Sequence, residues 1–243
     1  MKNPTVSVVI IAYNEEKYIG KTLDALIKQT VQPEEILVID NNSTDNTATI
    51  AGKYKGVRVV SETEQGMSPA RNRGFNEAKS KVLVKLDADT ILDKEFIKNL
   101  KKTYLKEKDI VGAIPYVSFH ELIWEILFNW RLASYATDIL VGHKYCPGPS
   151  YSLTKGAWGR IKKNVCNKDR EVHEDVEISL HLDNLGRMVY AKDCNSSTSS
   201  RRITETPYRF LVEQRIRLLK QYWRGRGLLK RFRIVWGHLS PYR

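Results

Sequence analysis

The sequence predicts an α/β fold, a mostly parallel sheet with helices on both faces. Three observations predict it. Short apolar runs such as VSVVIIA and EILVID alternate with segments of helical spacing. Polar residues gather at the carboxyl end of each run, where such sheets bind ligands. The 243 residues are 42% hydrophobic, enough to build one large core or two small ones.

Taken in order, Val6–Ala12 is the first strand. Glu16–Gln29 is a helix, with Ile19, Leu23, Leu26 and Ile27 on one stripe. Glu35–Asp40 is the second strand, Asp45–Tyr54 a helix and Val57–Ser61 the third strand. Pro69–Lys79 suits a helix with Ser68 as N-cap and Pro69 at its first position. Lys81–Leu86 is the fourth strand. Asp93–Lys106 is predicted helical and Ile110–Ser118 extended. Residues 121 to 142 are predicted to form a helix. The segment KYCPGPSYSL is a loop leading into a short strand. Glu174–Leu185 is a helix ending at Gly186, and Pro207 opens a long amphipathic segment. No internal repeat is visible.

Composition narrows the function classes. Cys146, Cys166 and Cys194 are few, odd in number and widely spaced, which fits a reducing compartment better than a disulfide framework. The spacing of His143, Cys146, Cys166 and His173 matches no usual zinc pattern, so these read as separate structural residues. The sequence shows no signal-peptide pattern, and the stretch ELIWEILFNWRLASYATDILVG is too charged for a membrane span. The expected location is the cytoplasm, with a peripheral hold on the inner face of the membrane. The net charge is +12, and Arg201 to Arg243, with twelve Lys/Arg and two Glu, carries +10 of it. The basicity therefore belongs to the tail.

The fourth strand ends in Asp87-Ala88-Asp89. A single aspartate after a strand reads as a turn or helix cap. Two like charges side by side raise each other's pKa unless a cation joins them. Hard divalent ions prefer carboxylates together with phosphate oxygens, so the pair proposes a nucleoside diphosphate held with Mg²⁺ or Mn²⁺. No GxGxxG follows the first strand, and no GxxxxGK[ST] occurs anywhere, so glycine amides do not cradle the phosphates in those ways.

The blocks SVVIIAYNEEKYIGKTLDAL, EILVIDNNSTDNT, GMSPARNRGFNEA and VKLDADT, in that order, resemble the family 2 glycosyltransferases of the GT-A fold. A later block, HEDVEISLHLDNLGR, resembles the second signature of that family. The resemblance covers about three quarters of the chain. It implies a metal-dependent, inverting transfer of a sugar from a nucleoside diphosphate donor, UDP favoured and GDP next, to an acceptor hydroxyl.

The resemblance also implies roles. Ala12, Tyr13 and Glu15 would border the nucleoside, with Glu15 near the ribose. Asp40 would face the base edge, and Asn41 departs from the aspartate common at its position. Asp45 reads as a plain cap. Arg71 and Asn72 would lie near the nucleotide or sugar, the alternative being a solvated helix face. Asp87, with Ala88 beside it, would meet the ribose or sugar, and Asp89 the metal, the two aspartates together forming the metal site. Arg201 or Arg202 would reach the diphosphate, and Arg202 is taken as the donor contact. In Glu174-Asp175, Asp175 would be the base that takes the acceptor proton, with Glu174 as its catalytic partner. The alternative is that both only favour a helix N-terminus. His173 reads as packing. The segment Gln214 to Leu218 is similar to the QxxRW element of processive relatives but has no tryptophan there, so no polymerase is inferred.

Two units are expected: residues 1–204, with a donor half to about 118 and an acceptor half beyond it, and a basic amphipathic helical segment, 205–243. Tryptophans beside arginines in that segment suit an anionic membrane surface and hence a lipid-linked acceptor. Competing readings are a nucleic-acid-binding tail, a nucleotidyltransferase and a sugar-nucleotide binder without activity. No base-reading motif supports the first, no glycine-rich loop the second, and the retained acidic pairs oppose the third.

Overall fold

Val6–Ala12, six apolar residues and Ser7, form β1, and every one is buried. The structure, a computed structural model, describes residues 4–119, 138, 143–167, 173–201, 205 and 208. After β1 come α1 (Ile19–Ile27), β2 (Glu35–Asp40), α2 (Thr47–Gly52), β3 (Val57–Ser61), α3 (Met67–Glu77) and β4 (Val82–Asp87). Then follow β5 (Thr90–Leu92), α4 (Phe96–Lys106), β6 (Ile110–Phe119), β7 (Ser150–Thr154), α5 (Lys155–Ile161), α6 (Glu174–Leu185) and β8 (Arg187–Thr198).

The eight strands make one sheet in the order β3-β2-β1-β4-β7-β6-β8-β5. Pairings among β1 to β4 and between β6 and β8 are parallel, while β7 and β5 run antiparallel to their neighbours. β1 faces both ways. Val6, Val8 and Ile10 pack with α1 residues Ile19, Leu23 and Leu26, and Val9 and Ile11 pack with α3 residues Ala70 and Phe75. Burial on both faces explains an apolar run broken only by Ser7, whose hydroxyl donates to Glu35 at 2.6 Å, where a half-exposed strand would alternate.

The register levels the strand ends. Ala12 stands beside Asp40, and Ile11 beside Asp87. Leu86 pairs with Ser150, so the loop entering β7 lies beyond that same edge.

Some expectations need correction. Ser68 does not cap α3. The helix begins at Met67 after Gly66, and Ser68 is buried inside it. Gly186 does follow α6, but its φ of 172° is extended, not left-handed. Glycine is needed there because a β-carbon would stand 2.8 Å from Val111. The strands β5 and β8 and the helix α5 were not read from the sequence. The expected helix at 121–142, apart from residue 138, lies outside the described residues. So do Arg202 and the basic segment, apart from Glu205 and Tyr208. Among the described residues, no helix is long and apolar enough to cross a membrane.

Candidate active site

The loops after β1 and β2 are laced together by side chains. Asn14 takes a left-handed φ of 54°, which asparagine tolerates better than most residues. Its side-chain oxygen accepts from the Thr44 N–H at 2.8 Å. The Glu15 N–H donates to the Thr47 hydroxyl at 2.7 Å, and the Glu16 N–H donates to Asp45 at 3.1 Å. Asp45 also accepts from the Thr47 N–H at 2.9 Å; it stands one residue before the N-cap, Asn46, so it holds the first N–H of α2 without being the cap expected of it. Burial works to raise its pKa, but the hydrogen bonds from Thr47 and Glu16 outweigh it and hold the carboxyl low.

Asn41 departs from aspartate for a visible reason. Its amide nitrogen donates to the carbonyls of Glu62 (3.2 Å) and Glu64 (2.7 Å), and its oxygen accepts from the Gly66 N–H (2.8 Å). A carboxylate has no donor for those two carbonyls. Asn41 therefore braces the loop after β3. Beside it, Asp40 is buried, and its Oδ1 has no hydrogen-bond partner among the described residues. Ala12 is buried, while the Tyr13 ring is half exposed next to it.

The two aspartates after β4 have different partners. Asp87 is paired with Lys85, which lies two residues earlier on the same strand face and is fully buried. Asp89 accepts from the Thr198 hydroxyl at 3.3 Å and lies 3.1 Å from the Arg201 guanidinium. The same guanidinium bonds Glu15 and stacks on Tyr18, 4.2 Å from the ring centre. Burial opposes the Arg201 charge, but Glu15 and Asp89 outweigh it and hold the guanidinium pKa above its ordinary value. Ala88 is buried, and its carbonyl accepts from the Thr22 hydroxyl at 2.7 Å, which pins the turn between the aspartates to α1.

The second acidic pair opens α6. Glu174, Asp175 and Glu177 all lie in its first turn, where the helix dipole favours them. Glu174 is buried and bonds Arg71 at 2.9 Å and the Tyr151 hydroxyl at 2.7 Å. Arg71 is fully buried, so it does not lie on a solvated face. Its Nε and Nη2 donate to Asn72 Oδ1, and Asn72 in turn donates to Asn167 at 2.6 Å. Asp175 keeps 17% of its side chain exposed. Its Oδ2 accepts from the Tyr145 hydroxyl, and its Oδ1 accepts from the Val176 N–H at 2.8 Å. His173 Nδ1 stands 3.8 Å from Oδ1. Burial, followed by the charge of Glu174, pushes the Asp175 carboxyl above the ordinary range; His173, Tyr145 and Val176 pull the other way without cancelling it.

The family described as Glycosyl transferase family 2 matches residues 7–144. The chain belongs to that family. Among curated relatives, a chondroitin synthase of Pasteurella multocida (strain Pm70) is 33% identical over 111 residues, 44% of this chain and 12% of that protein. An undecaprenyl-phosphate 4-deoxy-4-formamido-L-arabinose transferase of Serratia proteamaculans (strain 568) is 35% identical over 118 residues, 45% of this chain and 36% of that one. The chain thus spans little more than a third, or less, of these relatives. Among solved structures, S. aureus TarS 1-349 in complex with UDP-GlcNAc superposes with a TM-score of 0.66 at 18% identity, covering 97% of this chain and 71% of that one. The mannosyltransferase PcManGT of Pyrobaculum calidifontis, in complex with GDP-Man and Mn²⁺, gives 0.61 at 20% identity, covering 83% and 59%. At these identities the structural likeness establishes the GT-A-like fold.

Within this family 2 domain, the structure adds residues that the sequence reading passed over. Lys85 was visible as a lone cation in an apolar strand. Tyr145 carried no motif of its own, and the fold brings it, with Gly148 and Tyr151 of the block GPSYSLTKGAW, to the acidic pair.

Proposed function

We propose that the chain moves a sugar from a nucleoside diphosphate donor to an acceptor hydroxyl, with inversion at the anomeric carbon. The observation that carries this reading is the contrast within the second pair. Glu174 is neutralised by Arg71, whereas Asp175 has no arginine or lysine against it among the described residues, and its pKa is raised. An ionised carboxylate of raised pKa takes up a proton more readily than an ordinary one, as a general base requires. Asp175 accepts the acceptor hydroxyl's proton as that oxygen attacks. Tyr145 and the Val176 N–H fix the carboxylate's orientation, and Glu174 acts through its neighbour.

The donor lies along the level strand ends. The unpartnered Asp40 Oδ1 accepts from an N–H of the base, and Tyr13 and Ala12 border the nucleoside. Uracil is the base we favour and guanine the alternative, and the solved relatives with UDP-GlcNAc and GDP-Man support both. Glu15 and Asp87 face the ribose and sugar. Arg71 and Asn72 support the sugar side through Glu174 and Asn167, and Arg202 is the further donor contact.

A divalent ion fits the residues present. Glu15 and Asp89 converge on one guanidinium, which marks a place where a cation stands between hard oxygen donors. Among the described residues, no three His, Cys, Asp or Glu side chains form a metal cage. The donor's phosphates and water would complete the ligand set, with Asp89 as the protein's main ligand and Asp87 beside it. Bound Mn²⁺ or Mg²⁺ supplies charge neutralisation for the leaving diphosphate. With the ion held by Asp89, the Arg201 guanidinium would be the side chain left to meet the phosphates.

A lipid-linked acceptor at an anionic membrane surface is the reading we favour, supported by the +10 of the last 43 residues. Flotation with anionic vesicles checks it: the full chain rises with the lipid, and a chain truncated at Pro207 does not. The activity reading is tested by calorimetry and thermal shift with UDP, GDP, CDP and dTDP, each with and without Mn²⁺. Metal-dependent stabilisation by one nucleotide is expected, and silence from all of them would remove the enzyme reading.

A further inference from the structure

Lys85 stands mid-strand in β4 with no exposed surface. An ammonium there is costly unless its donors are satisfied. Two acceptors meet it: the Asp87 carboxylate and the backbone carbonyl of Gly148. A counter-charge for Asp87 needs only the first. The second joins β4 to a loop from another part of the sequence.

That loop is tied to β4 by its backbone as well. The Asp87 N–H donates to the Pro149 carbonyl at 3.0 Å, and the Ser150 N–H closes a turn onto the Pro147 carbonyl at 3.2 Å. On its other side the loop comes close to Asp175. A β-carbon on Gly148 would stand 3.1 Å from Asp175 Oδ2, closer than nearly all side-chain contacts. Asp87, Lys85 and Gly148 are therefore joined by hydrogen bonds, and Gly148 stands close enough to Asp175 to leave little room for a side chain, so the line runs from the donor side of the crevice to the acceptor side.

We propose that Lys85 is a positioning residue: its ammonium clamps the Gly148 carbonyl to the Asp87 carboxylate and so sets the backbone that screens Asp175 from water. The proposal rests on the reading of Asp87 and Asp175 given above, and it deepens that reading. It assigns the wall of the base's pocket to a buried cation on the donor strand. Rigid placement of this kind matters because a small displacement of a base from its acceptor costs rate steeply.

The test uses the full chain with Lys85→Met and with the double variant Lys85→Met/Asp87→Asn. The single variant strands a buried carboxylate and loses thermal stability, whereas the double variant removes the charge pair as a unit and recovers most of it. Hydrogen exchange then reads the amides of Asp87 and Ser150. Carbon-detected NMR titration reads the Asp175 carboxyl, which faces Glu174, His173, Tyr145 and the Val176 N–H. In the double variant the two amides exchange at least tenfold faster than in wild type, and the Asp175 midpoint falls toward the ordinary carboxylate range as water enters. Wild-type exchange together with a wild-type midpoint would reduce Lys85 to a counter-charge and overturn the proposal. If the single variant does not fold, the double variant still decides. Failure of the functional reading shows separately: no nucleotide with Mn²⁺ gives heat on the wild-type protein, whatever the loop does.

Discussion

The two acidic pairs, after β4 and at the start of α6, which we read as the donor side and the base side, are built alike and finished differently. Each carries two neighbouring carboxylates, and on each side one of the two is paired with a fully buried cation. Lys85 takes Asp87, and Arg71 takes Glu174. The remaining carboxylates differ. Asp89 faces a guanidinium on a partly exposed side chain that follows the last strand. Asp175 faces a phenol, a backbone N–H and a histidine 3.8 Å away. In the function proposed above, the carboxylate matched to a partly exposed guanidinium is the one that would take a metal ion, and the buried one with no arginine or lysine among the described residues, whose carboxyl is pushed above the ordinary range, is the one that would act as a base.

The largest expected effect tests the base side. Asp175→Asn removes the proton acceptor and keeps the shape, so transfer should fall by about 10³-fold or more while donor binding persists, measured by single turnover with the nucleotide sugar that the panel selects. Next comes the locked partner. Arg71→Met strands a buried carboxylate and should cost about 3–5 kcal/mol in denaturant unfolding, a loss not expected of the exposed pair Lys98–Glu95. A loss below about 1 kcal/mol would mean that Glu174 does not depend on that cation.

Smaller effects sharpen the comparison. The Tyr145 hydrogen bond lowers the Asp175 pKa, so Tyr145→Phe should raise it. On the proposal that Asp175 is the base and acts in its ionised form, the acid limb of kcat/KM should move to higher pH, and a limb that stays or moves down would argue against Asp175 as the base. Arg201→Ala should tighten Mn²⁺ binding in the absence of nucleotide by up to about fivefold, since a partly exposed ion pair contributes about 1 kcal/mol or less. Electron paramagnetic resonance of free Mn²⁺ reads this, and weaker binding in the variant would show that Arg201 assists the ion rather than yielding to it.

The same contrast explains what the sequence disclosed. The first four strands were legible because β1, β2 and β4 are buried on both faces and their apolar runs have few competing readings, while the edge strand β3, only partly buried, still carries three valines. Val57–Ser61 and the ends of β1 and β2 fall where the pattern puts them. The acceptor half was read less well. β8 contains Lys192-Asp193 and the polar run Asn195 to Thr198, which reads as loop. It is extended because β6 and β5 pair with it, and Ser196 and Thr198 are buried there. α5, with glycines at 156 and 159, has weak intrinsic helix preference. It forms around the buried Trp158 and the Thr154 hydroxyl, which accepts from the Ala157 N–H at 3.0 Å. In the site, the acidic residues themselves were legible as motifs. Arg71 was named from its motif, but its pairing with Glu174 was not legible, and neither were Lys85 and Tyr145, because these side chains act through contacts that only the folded chain creates.

The most direct test sets the two working carboxylates side by side. Calorimetry of the selected nucleotide with Mn²⁺ is run on Asp89→Ala and on Asp175→Asn. The division of roles predicts that Asp89→Ala loses the metal-dependent heat while Asp175→Asn keeps wild-type affinity within about twofold. Metal-dependent binding that survives in Asp89→Ala, or that disappears in Asp175→Asn, would contradict it.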